Sequence, residues 1–143
     1  MHGRLKAADL WERYRLSVPV DLRRLVAELD LDVVTFPFRG RIKEMIVERV
    51  VGVQPGLSRP WFRWYVAHAI GHHMLHAGTS FYLESWQWVS RAKAERQAEE
   101  FAAWLLTGPY PSWDTPGELG VPAEKLGLLR NVTGSGLPDR SRL

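Results

Sequence analysis

Cysteine is absent from the 143 residues, which excludes disulfide scaffolds, thiolate zinc knuckles, iron–sulfur clusters and cysteine nucleophiles together. Any metal held by this chain must be held by histidine and carboxylate. Long hydrophobic runs are missing too: nowhere do about 18 uncharged apolar residues follow one another, so no membrane-spanning helix is expected. The stretch from Met1 to Arg15 is interrupted by charge every two or three residues and lacks the apolar core of a signal peptide, so a cytoplasmic protein is expected. Charge of one sign is scarce as well. Lys plus Arg is 19 against 16 for Asp plus Glu, a net +3 that falls entirely before Trp61, with no basic tail or stripe. Direct nucleic-acid binding is therefore not expected, and the only segment that could serve as a recognition unit, Pro122 to Leu129, is too short and too weakly basic.

What the chain does have is apolar material, 45% of residues with 11% aromatic, enough for one compact core. A single domain over residues 1–132 is expected, with residues 133–143 as a flexible tail. Leu5, Leu10, Trp11 and Tyr14 recur at roughly helical spacing up to Leu16, and Leu22, Leu25, Val26 and Leu29 trace a second amphipathic helix that Asp21 opens and that ends near Asp30. Val33 to Phe38 and Ile42 to Val53, separated by Arg39 and Gly40, read as two strands of a small antiparallel sheet. Pro60 then suits the first turn of a central helix reaching His76, and Ser90 to Leu106 reads as another helix halted by Gly108 and Pro109.

Four of the five histidines lie between His68 and His76. On a helix, residues four apart share a face, so a His, His pair at that spacing brings two imidazoles near one ion. His68, His72 and His76 continue this spacing but cannot all bind one ion directly, because His68 and His76 are roughly 12 Å apart along the axis. One pair is chosen. Zinc needs a third protein ligand, and the following helix offers Glu95 on its inward side, beside Ala98 and Ala102, with Glu99 and Glu100 drifting outward as lesser candidates.

The order and spacing of these pieces resemble the ImmA/IrrE family of zinc metallopeptidase domains, over roughly Leu10 to Pro111. The resemblance rests on Pro19-Val20-Asp21-Leu22 opening a helix, the β segment after it, and Arg63-Trp64-Tyr65-Val66-Ala67-His68 leading to Gly71-His72 and Leu75-His76. Glu95, Ala98, Phe101-Ala102 and Leu105-Leu106 complete it. It implies an α+β, gluzincin-like domain with a small antiparallel sheet packed on helices, and a mononuclear Zn2+ site formed by His68, His72 and Glu95. It also implies a protein partner, such as a helix-turn-helix repressor, in phage, mobile-element or stress-response regulation. The family motif is HExxH, and this chain has Ala69 where the glutamate stands. That glutamate takes the proton of the zinc-activated water and delivers it to the leaving amine, which a methyl group cannot do. Three explanations follow: a pseudoenzyme that binds a partner, a replacement base (Glu84, Glu99 or His73), or an inactivating substitution. His73 lies about 100° around the helix from His72, away from the same cleft. His76 is expected to be a structural, hydrogen-bonding histidine and His2 an unordered terminal residue. Of seven tryptophans, Trp86 and Trp88 lie between the two ligand helices and are candidates for a cleft wall or a protein interface.

Overall fold

The computed structural model describes residues 2–76, 88–108 and 120–125. Among these the chain forms four helices, α1 (His2–Tyr14), α2 (Leu22–Glu28), α3 (Arg59–Leu75) and α4 (Trp88–Thr107), and three strands, β1 (Asp32–Thr35), β2 (Glu44–Val47) and β3 (Val50–Val53). The class is α+β, as expected. No helix among the described residues is long and apolar enough to cross a membrane. Residues 126–143, and with them the expected tail, lie outside the described part, as do Trp86 and half of the Pro122 to Leu129 segment.

The helices follow their sequence signals. Asp21 caps α2 by accepting the Arg24 backbone N–H at 3.0 Å, which satisfies one of the donors a helix N-terminus leaves unpaired. Pro60 sits in the first turn of α3, where a missing N–H costs nothing. His2 begins α1 rather than preceding it.

The sheet departs from the expectation. It has three strands in the order β1-β3-β2, and only the β2–β3 pair is antiparallel, whereas β1 runs parallel to β3. The apolar stretch from Ile42 to Val53 is folded in two by a hairpin turn at Glu48 and Arg49, with Glu48 at φ 55°. Neither residue carries the Asn-Gly or Asp-Gly signature of such turns, so the break is hidden in the sequence. β1 then joins the far side of β3, where the Asp32 N–H donates to the Arg49 carbonyl at 2.8 Å and the Phe36 N–H to the Val53 carbonyl at 2.9 Å.

One core joins the helices to the inner face of the sheet. Leu10, Leu25, Trp64, Ile70, Phe101, Trp104 and Leu105 are fully buried, and Ile46, Val51 and Val53 supply the sheet's share. Side chains alternate between the faces of a strand, so Glu44 and Ile46 point inward to α3 while Met45 and Val47 point outward. The α3–α4 crossing is closed by Gly71. A Cβ there would stand 3.0 Å from Cδ1 of Phe101 and 3.1 Å from the Ala98 carbonyl, so the missing side chain lets the two backbones meet. Ala98 is one turn beyond Glu95, and Gly71 is beside His72.

Candidate metal centre

The α3–α4 crossing sets three side chains against one another. Nε2 of His72 is 2.9 Å from Oε1 of Glu95, and Nε2 of His68 is 3.3 Å from Oε2 of the same carboxylate. The two imidazoles, one turn apart on α3, lie 4.7 Å centroid to centroid and edge-on. His68, His72 and Glu95 are therefore brought together, whereas Glu99 and Glu100 are drawn elsewhere. Glu99 meets Nζ of Lys125 at 3.4 Å. Glu100, expected to drift outward, is instead buried and accepts the Arg4 backbone N–H at 3.3 Å; the close packing of α1 on α4 at Gly3 covers that side of the helix.

A fourth group joins the site from the sheet. Nδ1–H of His68 donates to Oε1 of Glu44 at 2.6 Å, between side chains that are 7% and 13% exposed. An ionised carboxylate only accepts, so this contact places the proton on Nδ1 and, in the neutral ring, leaves a lone pair on Nε2. That nitrogen is buried, has no hydrogen-bond partner, and faces the Glu95 carboxylate. A lone pair opposed to an anion in a buried site is unfavourable unless a cation lies there. The cation can be a proton or a metal ion. In the metal-free chain a proton is favoured there: burial, the largest influence, works against it, but the hydrogen bond to Glu44 and the 3.3 Å contact with Glu95 outweigh burial and push His68 up to about 9. Glu95 is correspondingly held below the ordinary carboxylate range, first by His68, then by His72, with burial opposing.

Glu44, His68 and His72 each offer a ligand atom, and these atoms lie within 4.8 Å of one another. The cluster could hold a metal ion. Glu44 has no local sequence signal, and only the strand register marks it: it shares the inward face with Ile46, and an inward carboxylate needs a partner.

Ala69 is fully buried in the core, and no carboxylate replaces it from its own helix. Of the replacement bases considered, His73 faces the hairpin, where burial and then the nearby Arg49 lower its proton affinity. Glu99 is engaged by Lys125, and Glu84 lies outside the described residues. His76 matches its expected role, with Nε2–H donating to the Ala94 carbonyl at 3.3 Å. Tyr65, one turn before His68, stacks on Trp61 at 5.7 Å, and its phenol is pushed up by burial, then by Glu44 and Glu99. Lys125 covers Trp64 at 5.2 Å and Trp61 at 5.9 Å, so aromatic rings and Glu99 extend the site along α3. No protein-family model matches this chain, and no curated protein is significantly similar to it.

Proposed function

We propose that this chain is a zinc-binding, metallopeptidase-like domain of the ImmA/IrrE type, gluzincin-like in fold, which acts on a regulatory protein such as a helix-turn-helix repressor and is impaired in hydrolysis. The observation that carries the reading is the pair of Nε2 atoms, from His68 and His72, converging on the carboxylate of Glu95 at 3.3 and 2.9 Å. The orphaned Nε2 of His68 fits a metal ligand, and a set of two imidazoles and a carboxylate suits zinc.

In this reading His68, His72 and Glu95 hold the ion. Glu44 fixes the tautomer and ring orientation of His68, as carboxylates behind ligand histidines commonly do. Bound zinc would polarise a carbonyl and acidify water. The chain must still move the proton, and the Ala69 methyl cannot. General acid–base catalysis contributes about 10²–10⁴-fold, so turnover as the sequence stands is slow or nil.

The burial of Ala69 favours a second reading, a non-catalytic, metal-stabilised interaction module. Ala69→Glu separates the two. With zinc and a cognate repressor supplied, the first reading expects zinc-dependent cleavage to appear. A folded, zinc-loaded Ala69→Glu protein that leaves the repressor intact would reject the first reading in favour of the second. Purified protein without stoichiometric metal, and with a melting temperature indifferent to zinc, would reject both.

A further inference from the structure

The outer face of the sheet is apolar and open to solvent. Val34, Phe36, Met45, Val47 and Val50 are each between 37% and 55% exposed. The register makes this a continuous surface: Val34, Gly52 and Met45 form one row across the three strands, and Val50 and Val47 stand together in the next. Gly52 has no side chain to hold the rings of the following loop away. A Cβ there would be 3.1 Å from Cζ of Phe38, and Phe38 packs beside Phe36 at 5.0 Å. Contiguous apolar surface of this kind marks an interaction site.

Charge at the two ends of the face identifies the occupant. Where β1 ends and β2 begins stand Arg39, Arg41 and Lys43, all exposed, with no ion-pair partner among the described residues. At the hairpin end stand Asp30, Asp32 and Glu48, with Arg49 alone in opposition and already 3.7 Å from Asp30. A nucleic acid, an anionic membrane or a uniformly acidic peptide would match the basic end and be repelled at the other. A second copy turned end for end matches both ends at once, because a two-fold axis lying along the face and across the strands sets each basic end over the other copy's acidic end. Isologous contacts require such self-complementarity.

We infer that the outer sheet face is a two-fold interface between copies of this chain, with the valine and phenylalanine surface at its centre and the two charged ends paired across its rim. This does not depend on the metal centre, which lies on the opposite side of β2.

Sedimentation velocity of the full chain, from about 1 µM to about 1 mM, spans the range in which an interface of modest area associates. A monomer–dimer equilibrium is expected. Arg39→Glu with Arg41→Glu makes both ends negative, and Asp32→Lys with Glu48→Lys makes both positive. Each double variant is expected to weaken its own dimer by about tenfold or more, since juxtaposed like charges are costly. Mixed one to one, the two are expected to recover a dimer, because each end then meets its opposite. Val47→Lys, at an exposed position, should abolish association with circular dichroism unchanged. A chain that stays monomeric throughout the range overturns the inference, as does a dimer that Val47→Lys leaves intact or double variants that fail to rescue each other. Capture of an acidic protein through the basic end alone, by a monomeric chain, would overturn it in favour of a different partner.

Discussion

Glu44 on β2 and His68 on α3 are joined by a 2.6 Å contact between Oε1 and Nδ1, across 24 positions of sequence. This contact turns the far nitrogen of His68 toward Glu95. Removing the acceptor should therefore act on ion binding at a distance. Glu44→Ala is expected to weaken zinc affinity about 10–100-fold, in line with other carboxylates that orient ligand histidines. Glu44→Gln, which can still accept from Nδ1–H, should retain more of it. Calorimetric titration against a competing chelator reads both. Equal affinities for all three proteins would deny Glu44 its orienting part.

Loss of a ligand should be more severe. His68→Ala, His72→Ala and Glu95→Ala are each expected to lose stoichiometric zinc, and with it the rise in melting temperature that the ion gives the parent. Stabilisation by an ion present at 100 times its dissociation constant is about 2.7 kcal/mol, a shift that calorimetry resolves easily. If Glu95→Ala alone keeps the ion, Glu44 is the third ligand and Glu95 a counter-charge.

The metal-free chain should show a particular pH dependence. His68 binds its proton more tightly folded than unfolded, with values of about 9 and 6.5. Its contribution to stability is complete below pH 6.5 and is lost as the pH rises through 9. Glu95 has the opposite sense, because its folded value lies below its ordinary 4.5. Its contribution is complete above that value and is lost as the medium becomes more acidic. Melting temperature without metal should therefore be highest between pH 4.5 and 6.5 and fall on either side. Saturating zinc should remove the alkaline fall, since it takes the place of the proton. A flat metal-free profile from pH 6.5 to 9 would contradict the geometry at His68.

Gly71→Ala tests the helix crossing. The added carbon would press on Phe101 at 3.0 Å and on the Ala98 backbone at 3.1 and 3.2 Å. Overpacking costs about 1–3 kcal/mol, more than the roughly 1 kcal/mol that alanine gains over glycine within a helix. Lower stability and weaker zinc binding are expected together. Gly3→Ala is the control: its Cβ would be 2.7 Å from two backbone atoms of α4, so it should destabilise the chain while leaving the affinity of the folded protein nearly unchanged.

The helices were legible because their signals are local. Leu22, Leu25, Val26 and Leu29 share one face, and Asp21 and Pro60 mark starts. The His68 and His72 pair was legible for the same reason, and Glu95 followed from its place beside Ala98. The strand pairing was not, because a Glu48-Arg49 turn has no sequence signature and because parallel pairing of β1 with β3 is decided by tertiary contacts. Glu44 was missed on the same account: its role depends on a register that only the folded sheet fixes. Glu100 was misjudged because helical phase alone does not reveal that α1 covers that side of α4.

The bare Cα of Gly71 leaves α3 and α4 in close contact beside the ligand cluster, so the two helices that carry the imidazoles and the Glu95 carboxylate are held at a fixed separation. Calcium prefers longer bonds and more oxygens than two imidazoles and one carboxylate provide, so the donor set suits a smaller ion such as zinc.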